Sequence, residues 1–219
     1  IMTFTFLNKF LVKKAVAVGY RSHVLRKKYP NYDADNEFVF SGAQILPSDV
    51  GIPQNLSHYL AEEFKLLYLG RLNPEKGCSY LIKAISILKK RGFKVHLTVV
   101  GDGTEREKLV MLSKEEGLSS EITFKGKISN RKIISEIMDS SHVYVIPSIT
   151  EGMPRSLIEA MARGMIAIGS NTGGIPELLD EQFLFEPRNI NEIAAKLQSL
   201  YESREALPNI SGLNITLSK

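Results

Sequence analysis

From Lys65 onward, short uninterrupted apolar runs alternate with stretches of helical length. The runs are 66–69, 95–100, 122–124, 143–146, 166–168 and 183–185. Helices are expected at 77–91, 104–116, 130–140, 154–163 and 189–202, with a short one around 175–179. A strand that is apolar throughout needs cover on both faces, and helices of this size supply it. The expected fold class is α/β, a doubly wound six-stranded parallel sheet with right-handed crossovers.

Residues 1–60 are irregular by comparison. They carry a helix tail at 6–14, a strand at 15–18, a helix at 22–29 stopped by Pro30, a polar loop at 31–36 and a strand at 37–40. Pro47, Gly51 and Pro53 mark a linker. This part is too short and too broken to form a core of its own. The end, 204–219, lacks periodicity and reads as a cut tail.

With 43% hydrophobic residues the chain can bury a full core, and 24% charged residues exclude a disordered class. A net charge of +4 is partly concentrated in Lys13-Lys14 and Arg26-Lys27-Lys28. Those clusters are either a solvated basic face or an attraction for phosphate-bearing ligands or an anionic membrane surface. The single cysteine, Cys78, allows no intrachain disulfide and fits a cytoplasmic protein. No apolar run reaches membrane-spanning length, and 1–7 lacks the marks of a signal peptide. His58, His96 and His142 have no partners at ligand spacing, so no metal site is expected.

In the common strand order 3-2-1-4-5-6, ligands bind at the switch point between the first and fourth strands, outside their carboxyl ends. The loop after the first strand is 70–77 and the loop after the fourth is 147–154. The first supplies cations, Arg71 and Lys76, suited to a diphosphate. Paired with nearby acids such as Glu75, they read equally as surface charges. The second supplies Glu151 and, over 152–156, the amides that open a helix whose dipole favours anions. Glu159 follows in that helix, beside the apolar stripe of Leu157, Ile158, Met161 and Ala162. Alone, the two carboxylates fit a solvated helix glutamate and a loop glutamate. Their place at the switch point makes them site candidates. The loop 169–174 is small enough for a backbone to approach a ligand.

These motifs together resemble the retaining, nucleotide-sugar-dependent glycosyltransferases of group 1, built from two facing Rossmann-like domains. The matching marks are Gly70-Arg71, Lys76-Gly77, Gly101-Asp102-Gly103, Pro147-Ser148 and Glu151-Gly152. Glu159-Ala160-Met161-Ala162 with Gly164, and Gly173-Gly174 with Glu177, complete the set. The resemblance covers about 65–202 well and 15–45 loosely. It implies that Arg71 and Lys76 hold the donor diphosphate and stabilise the departing nucleotide. Glu151 would bind donor-sugar hydroxyls and face the positive charge developing at the anomeric carbon. Glu159 would take the ribose hydroxyls. Gly70, and the backbone of Gly152, Met153 and Pro154, would lie by the donor, and Lys125-Gly126-Lys127 resembles the base-binding loop. With two cations at the diphosphate, no metal and no cofactor are called for, the nucleotide-diphosphate sugar being a substrate.

The resemblance also implies a division of the chain. Residues 1–45 would be a remnant of the N-terminal acceptor domain, 46–64 a linker, 65–203 the nucleotide-sugar-binding domain and 204–219 a truncated tail. Most of the acceptor half, with its functional histidine, would be missing, and nothing marks His23 as that residue. Ser41-Gly42-Ala43-Gln44 stands where the family usually has an Asn-Gly pair near an Asp. The expected partners are a UDP- or GDP-sugar and, through the missing domain, a glycan or lipid-linked acceptor. No nucleic acid is expected; the location is cytoplasmic, with peripheral contact at the inner membrane face left open. The alternative is a non-catalytic module that binds nucleotide sugars or a partner. Two further rivals are weaker. Gly101-Asp102-Gly103 begins a dinucleotide fingerprint but follows the second strand and lacks the third glycine, Arg106 standing there. Asp33-Ala34-Asp35 mimics a metal-binding Asp-x-Asp without a strand core before it.

Overall fold

The structure, a computed structural model, describes residues 11–13, 15, 17–20, 23–31, 35, 37–39 and 45–217. Six parallel strands form the main sheet: β3 (Phe64–Leu69), β4 (Val95–Val100), β5 (Ile122–Gly126), β6 (Val143–Ile146), β7 (Ile166–Ser170) and β8 (Leu184–Phe185). Their order is β5-β4-β3-β6-β7-β8, the Rossmann-like doubly wound order expected from the sequence. Two shorter parallel strands, β1 (Val18–Tyr20) and β2 (Glu37–Val39), pair apart from this sheet.

The helices are α1 (His23–Lys28), α2 (Leu56–Tyr59), α3 (Cys78–Lys90), α4 (Arg106–Glu115), α5 (Arg131–Asp139), α6 (Arg155–Ala162), α7 (Ile190–Glu202) and α8 (Leu207–Leu217). Polar caps fix several starts. The Asn130 side chain accepts from the Lys132 N–H at 3.0 Å, and Asn189 accepts from the Glu192 N–H at 3.2 Å. Each such cap is worth about 1 kcal/mol.

The two faces of the sheet follow the strand period of two. On β3, Leu66 and Tyr68 face the side covered by α3 and α7, where Leu81, Ile85, Ile193 and Leu197 are buried. Leu67 faces the other side, with Tyr144, Leu157 and Met161. Burying one such side chain contributes about 1.5–3 kcal/mol, so both layers are strongly held to the sheet.

Several expectations shift. The strand placed at 15–18 lies at Val18–Tyr20, where the Tyr20 hydroxyl donates to the Tyr29 carbonyl at 2.5 Å. The short helix at 175–179 is a 3-10 turn, Ile175–Glu177. The larger correction concerns 204–219. Over 204–217 it is not an aperiodic tail: a 3-10 turn, Arg204–Ala206, leads into α8, which packs on α2, α6 and β7. Buried Ser211 of α8 accepts the Gln54 N–H at 3.0 Å, so the helix is tied to the segment before α2. The segment 41–44, with Asp33, Ala34 and most of the expected helix tail at 6–14, lies outside the described residues. Asp35 is exposed.

The segment around 49–51 is fixed rather than loose. The Gly51 N–H donates to the Ala162 carbonyl at 2.9 Å, and Asp49 pairs with Arg131 at 3.0 Å. Among the described residues, no helix is long and apolar enough to cross a membrane.

Candidate functional site

The sheet order reverses between β3 and β6, and the loops leaving their carboxyl ends meet there. Gly77 lets them touch. It closes the 3-10 turn Pro74–Lys76 at φ 67°, and a Cβ there would stand 2.0 Å from the Pro147 carbonyl oxygen. Two further links join the loops. The Ile149 N–H donates to the Glu75 carbonyl at 2.8 Å, and Lys76 Nζ lies 2.8 Å from Glu151 Oε2.

Glu151 is braced from its other side by the loop after β7. Gly173 has φ 60°, and a Cβ there would meet the Glu151 carbonyl oxygen at 2.0 Å. The Gly174 N–H donates to the Gly152 carbonyl at 2.8 Å. The Glu151 carboxylate receives the Ser148 hydroxyl at 2.9 Å on Oε2 and the Gly152 N–H at 3.2 Å on Oε1. The Lys76 and Glu151 side chains are only 17% and 14% exposed, so solvent screens their attraction less than on an open surface.

A cleft of about 850 Å³ opens above this pair. Of the residues singled out in the sequence, Gly70, Arg71, Lys76, Glu151, Met153, Pro154 and Glu159 line it. Gly152 is not in the lining, its N–H and carbonyl being turned to Glu151 and Gly174. Lys125 is not brought to the cleft; it lines a separate shallow hollow of about 430 Å³ with Ile133 and Glu136. Gly126 ends β5 at φ 68° and accepts the Gly101 N–H at 2.8 Å. The cation of that segment that does face the cleft is Lys127, next to Ile128.

Other lining residues had no role assigned from the sequence. Tyr68 and Tyr144 form the floor. Tyr68 donates to the Arg71 carbonyl at 2.7 Å, and Tyr144 meets Ser156 Oγ at 2.8 Å. Burial raises the pKa of both phenols, so they stay neutral donors. Arg155, at the mouth of α6, and Asp102 also reach the cleft. Two tyrosines in apolar runs read simply as core, which is why the sequence did not flag them. Glu159 lies where the cleft meets a smaller hollow lined by Asp49, Arg131 and Arg163. Burial raises its pKa, partly offset by Arg131 and Arg155.

The histidines lie elsewhere. His142 is 2% exposed at the start of β6, and its Nδ1 accepts the Lys65 N–H at 3.0 Å. Burial pushes its pKa down to about 3. His96 Nε2 lies 3.0 Å from Thr123 Oγ1. Cys78 is buried, and burial pushes its thiol up to about 12. It is inert packing, not a thiolate nucleophile.

A cleft at a parallel-sheet switch point, with cations from one loop and a carboxylate from the facing loop, suits an anionic ligand carrying hydroxyls. A family model described as glycosyl transferases group 1 matches residues 57–211. This chain belongs to the group 1 glycosyltransferase family. It is 29% identical to protein CapJ of Staphylococcus aureus over 96% of this chain and 54% of CapJ. It is 32% identical to an uncharacterized glycosyltransferase of Haemophilus influenzae over 72% of this chain and 45% of the relative. The chain thus spans about half the length of these relatives. Among solved structures, Anabaena HepE in complex with UDP superposes with a TM-score of 0.80 at 21% identity, over 99% of this chain and 62% of HepE. A sucrose-phosphate synthase from Thermosynechococcus elongatus gives 0.81 at 20%, over 99% and 57%. At such identities the likeness concerns the fold.

Proposed function

We propose that this chain is the donor-binding part of a retaining glycosyltransferase that moves a hexose from a nucleoside diphosphate to a glycan or lipid-linked acceptor. The observation that carries the reading is the cleft where Lys76 and Arg71 share one cavity with Glu151 and Glu159, in a chain of the group 1 family. Names among the relatives point the same way. HepE structures carry UDP and UDP-glucose, and an Erwinia amylovora relative is an amylovoran biosynthesis glycosyltransferase.

In this reading Arg71 and Lys76 take the diphosphate, and the α6 mouth adds its dipole. As the bond from the anomeric carbon to the phosphate oxygen breaks, its electron pair leaves with the nucleotide. Cations already seated on the diphosphate meet that negative charge as it develops. Each charge-assisted hydrogen bond is worth about 1.5–3 kcal/mol. Glu151 faces the sugar and the positive charge growing at its anomeric carbon. Glu159 accepts the ribose hydroxyls, and Lys127 joins Lys125 and Gly126 as the base-side segment. No metal is assigned a role. The acceptor would be bound by a further domain, the chain spanning about half the length of its relatives, and the basic last turn of α1 offers contact to a cytoplasmic membrane face.

A thermal-shift screen of nucleoside diphosphates, with and without EDTA, tests the reading. A shift with UDP or GDP that survives EDTA supports it. No shift with any nucleotide overturns it.

A further inference from the structure

The two oxygens of Glu151 are held unequally. Oε2 receives the Lys76 ammonium at 2.8 Å and the Ser148 hydroxyl at 2.9 Å. Among the described residues, Oε1 receives only the N–H of the next residue, Gly152, at 3.2 Å. Ser148 is 1% exposed, and its carbonyl is itself gripped by the Ser170 hydroxyl at 2.5 Å, Ser170 being 0% exposed. The Ser148 hydroxyl is thus a donor on a fixed frame, with its bond aimed at Glu151.

Lys76 cannot serve two anions equally. Once a diphosphate enters, its denser negative charge draws the ammonium from the carboxylate. One of the two strong bonds on Oε2 is then weakened at the step when the carboxylate has to be placed against the sugar. The other is the bond from Ser148.

We propose that Ser148 is a positioning residue for Glu151: it keeps Oε2 docked when Lys76 turns to the donor, and so presents Oε1 to a sugar hydroxyl. This rests on the reading of Glu151 as the sugar-facing group. Ser148 itself lines the cleft, and its hydroxyl, engaged with Glu151 Oε2, acts through the carboxylate. A 1 Å looseness in such a group is enough to lose much of its effect.

The test is calorimetric titration of the chain with UDP, GDP, UDP-glucose and GDP-mannose, comparing Ser148→Ala and Ser170→Ala with the unsubstituted protein. Ser148→Ala keeps the backbone carbonyl that Ser170 grips, and so keeps the loop frame. It should leave UDP or GDP affinity within about twofold and weaken the matching sugar nucleotide about tenfold. Ser170→Ala loosens the frame that aims the Ser148 hydroxyl, and should weaken the sugar nucleotide in the same direction but by less than Ser148→Ala. If Ser148→Ala binds the sugar nucleotide as tightly as the unsubstituted chain, or loses nucleotide and sugar nucleotide equally, the inference is overturned. If the unsubstituted chain binds no nucleotide, the donor-site reading itself fails and takes this inference with it. Equal affinity of the unsubstituted chain for nucleotide and sugar nucleotide overturns the inference alone.

Discussion

Lys76 Nζ stands 2.8 Å from Glu151 Oε2, although the two residues are 75 positions apart and sit on loops from different strands. The pair joins the two loops at the crevice, and each partner offsets the other's charge. A diphosphate therefore competes with Glu151 for the same ammonium.

Glu151→Gln should release Lys76 from that competition. Affinity for UDP or GDP alone is expected to rise about two- to fivefold, the scale of a partly exposed ion pair. Calorimetric titration of nucleotide against both proteins measures it. Weaker nucleotide binding by the variant would contradict the competition.

Gly77→Ala should be severe. Left-handed backbone costs a side chain about 1–2 kcal/mol, and here the new Cβ also meets the Pro147 carbonyl oxygen at 2.0 Å. A loss of about 3 kcal/mol or more is expected in urea unfolding. Gly92→Ala is the control, with φ 85° and open space around it, and should lose only about 1–2 kcal/mol.

Glu159 links stability to binding with opposite signs. Its folded pKa is raised, chiefly by burial, so its unfolded pKa is the lower of the two. Below the unfolded value it is neutral in both states. As pH rises through the folded value, stability is lost because a charge is forced into a half-buried place. Glu159→Gln should therefore raise the melting temperature at pH 7. The same change should weaken nucleotide binding about tenfold if the carboxylate accepts the ribose hydroxyls. In the unsubstituted protein, binding should fall on acidification through that raised pKa. A melting temperature that falls, or an unchanged affinity, would count against this role.

His142 makes the fold acid-sensitive. Its folded pKa of about 3 lies below its unfolded value. Above pH 6.5 the residue is neutral in both states and adds no pH dependence. As pH falls from 6.5 toward 3, the unfolded chain takes up a proton that the folded chain refuses, and stability drops by up to about 1.4 kcal/mol per pH unit. His142→Asn retains an acceptor for the Lys65 N–H. It should flatten the dependence seen in urea unfolding between pH 6.5 and 4.

The sheet was legible because its strands are short, apolar and separated by helices, which leaves few topologies. Val95–Val100 and Val143–Ile146 have the bounds that the sequence predicts. The meeting of 70–77 with 147–154 followed from strand order alone. What stayed hidden depends on register or on docking. The β4–β5 register shifts at Val99/Val100 and Gly126 turns at φ 68°, so sequence alone could not say that Lys127, not Lys125, faces the cleft. Helix α8 carries Pro208 in its first turn and a buried serine, Ser211, so its apolar pattern is weak. Its place is set by what it packs against. Ser148 stood out only as part of the Pro147-Ser148 mark, without a role, because a loop serine has many uses and only its aim at Glu151 distinguishes it.

The central claim is that Arg71 and Lys76 form the diphosphate end of a nucleotide-sugar cleft. Isothermal titration of UDP and GDP into the chain, beside Arg71→Ala and Lys76→Ala, tests it most directly. The account predicts saturable one-to-one binding of at least one nucleotide, weakened about tenfold or more by each substitution. Binding that ignores both substitutions, or no binding by the unsubstituted chain, would contradict it.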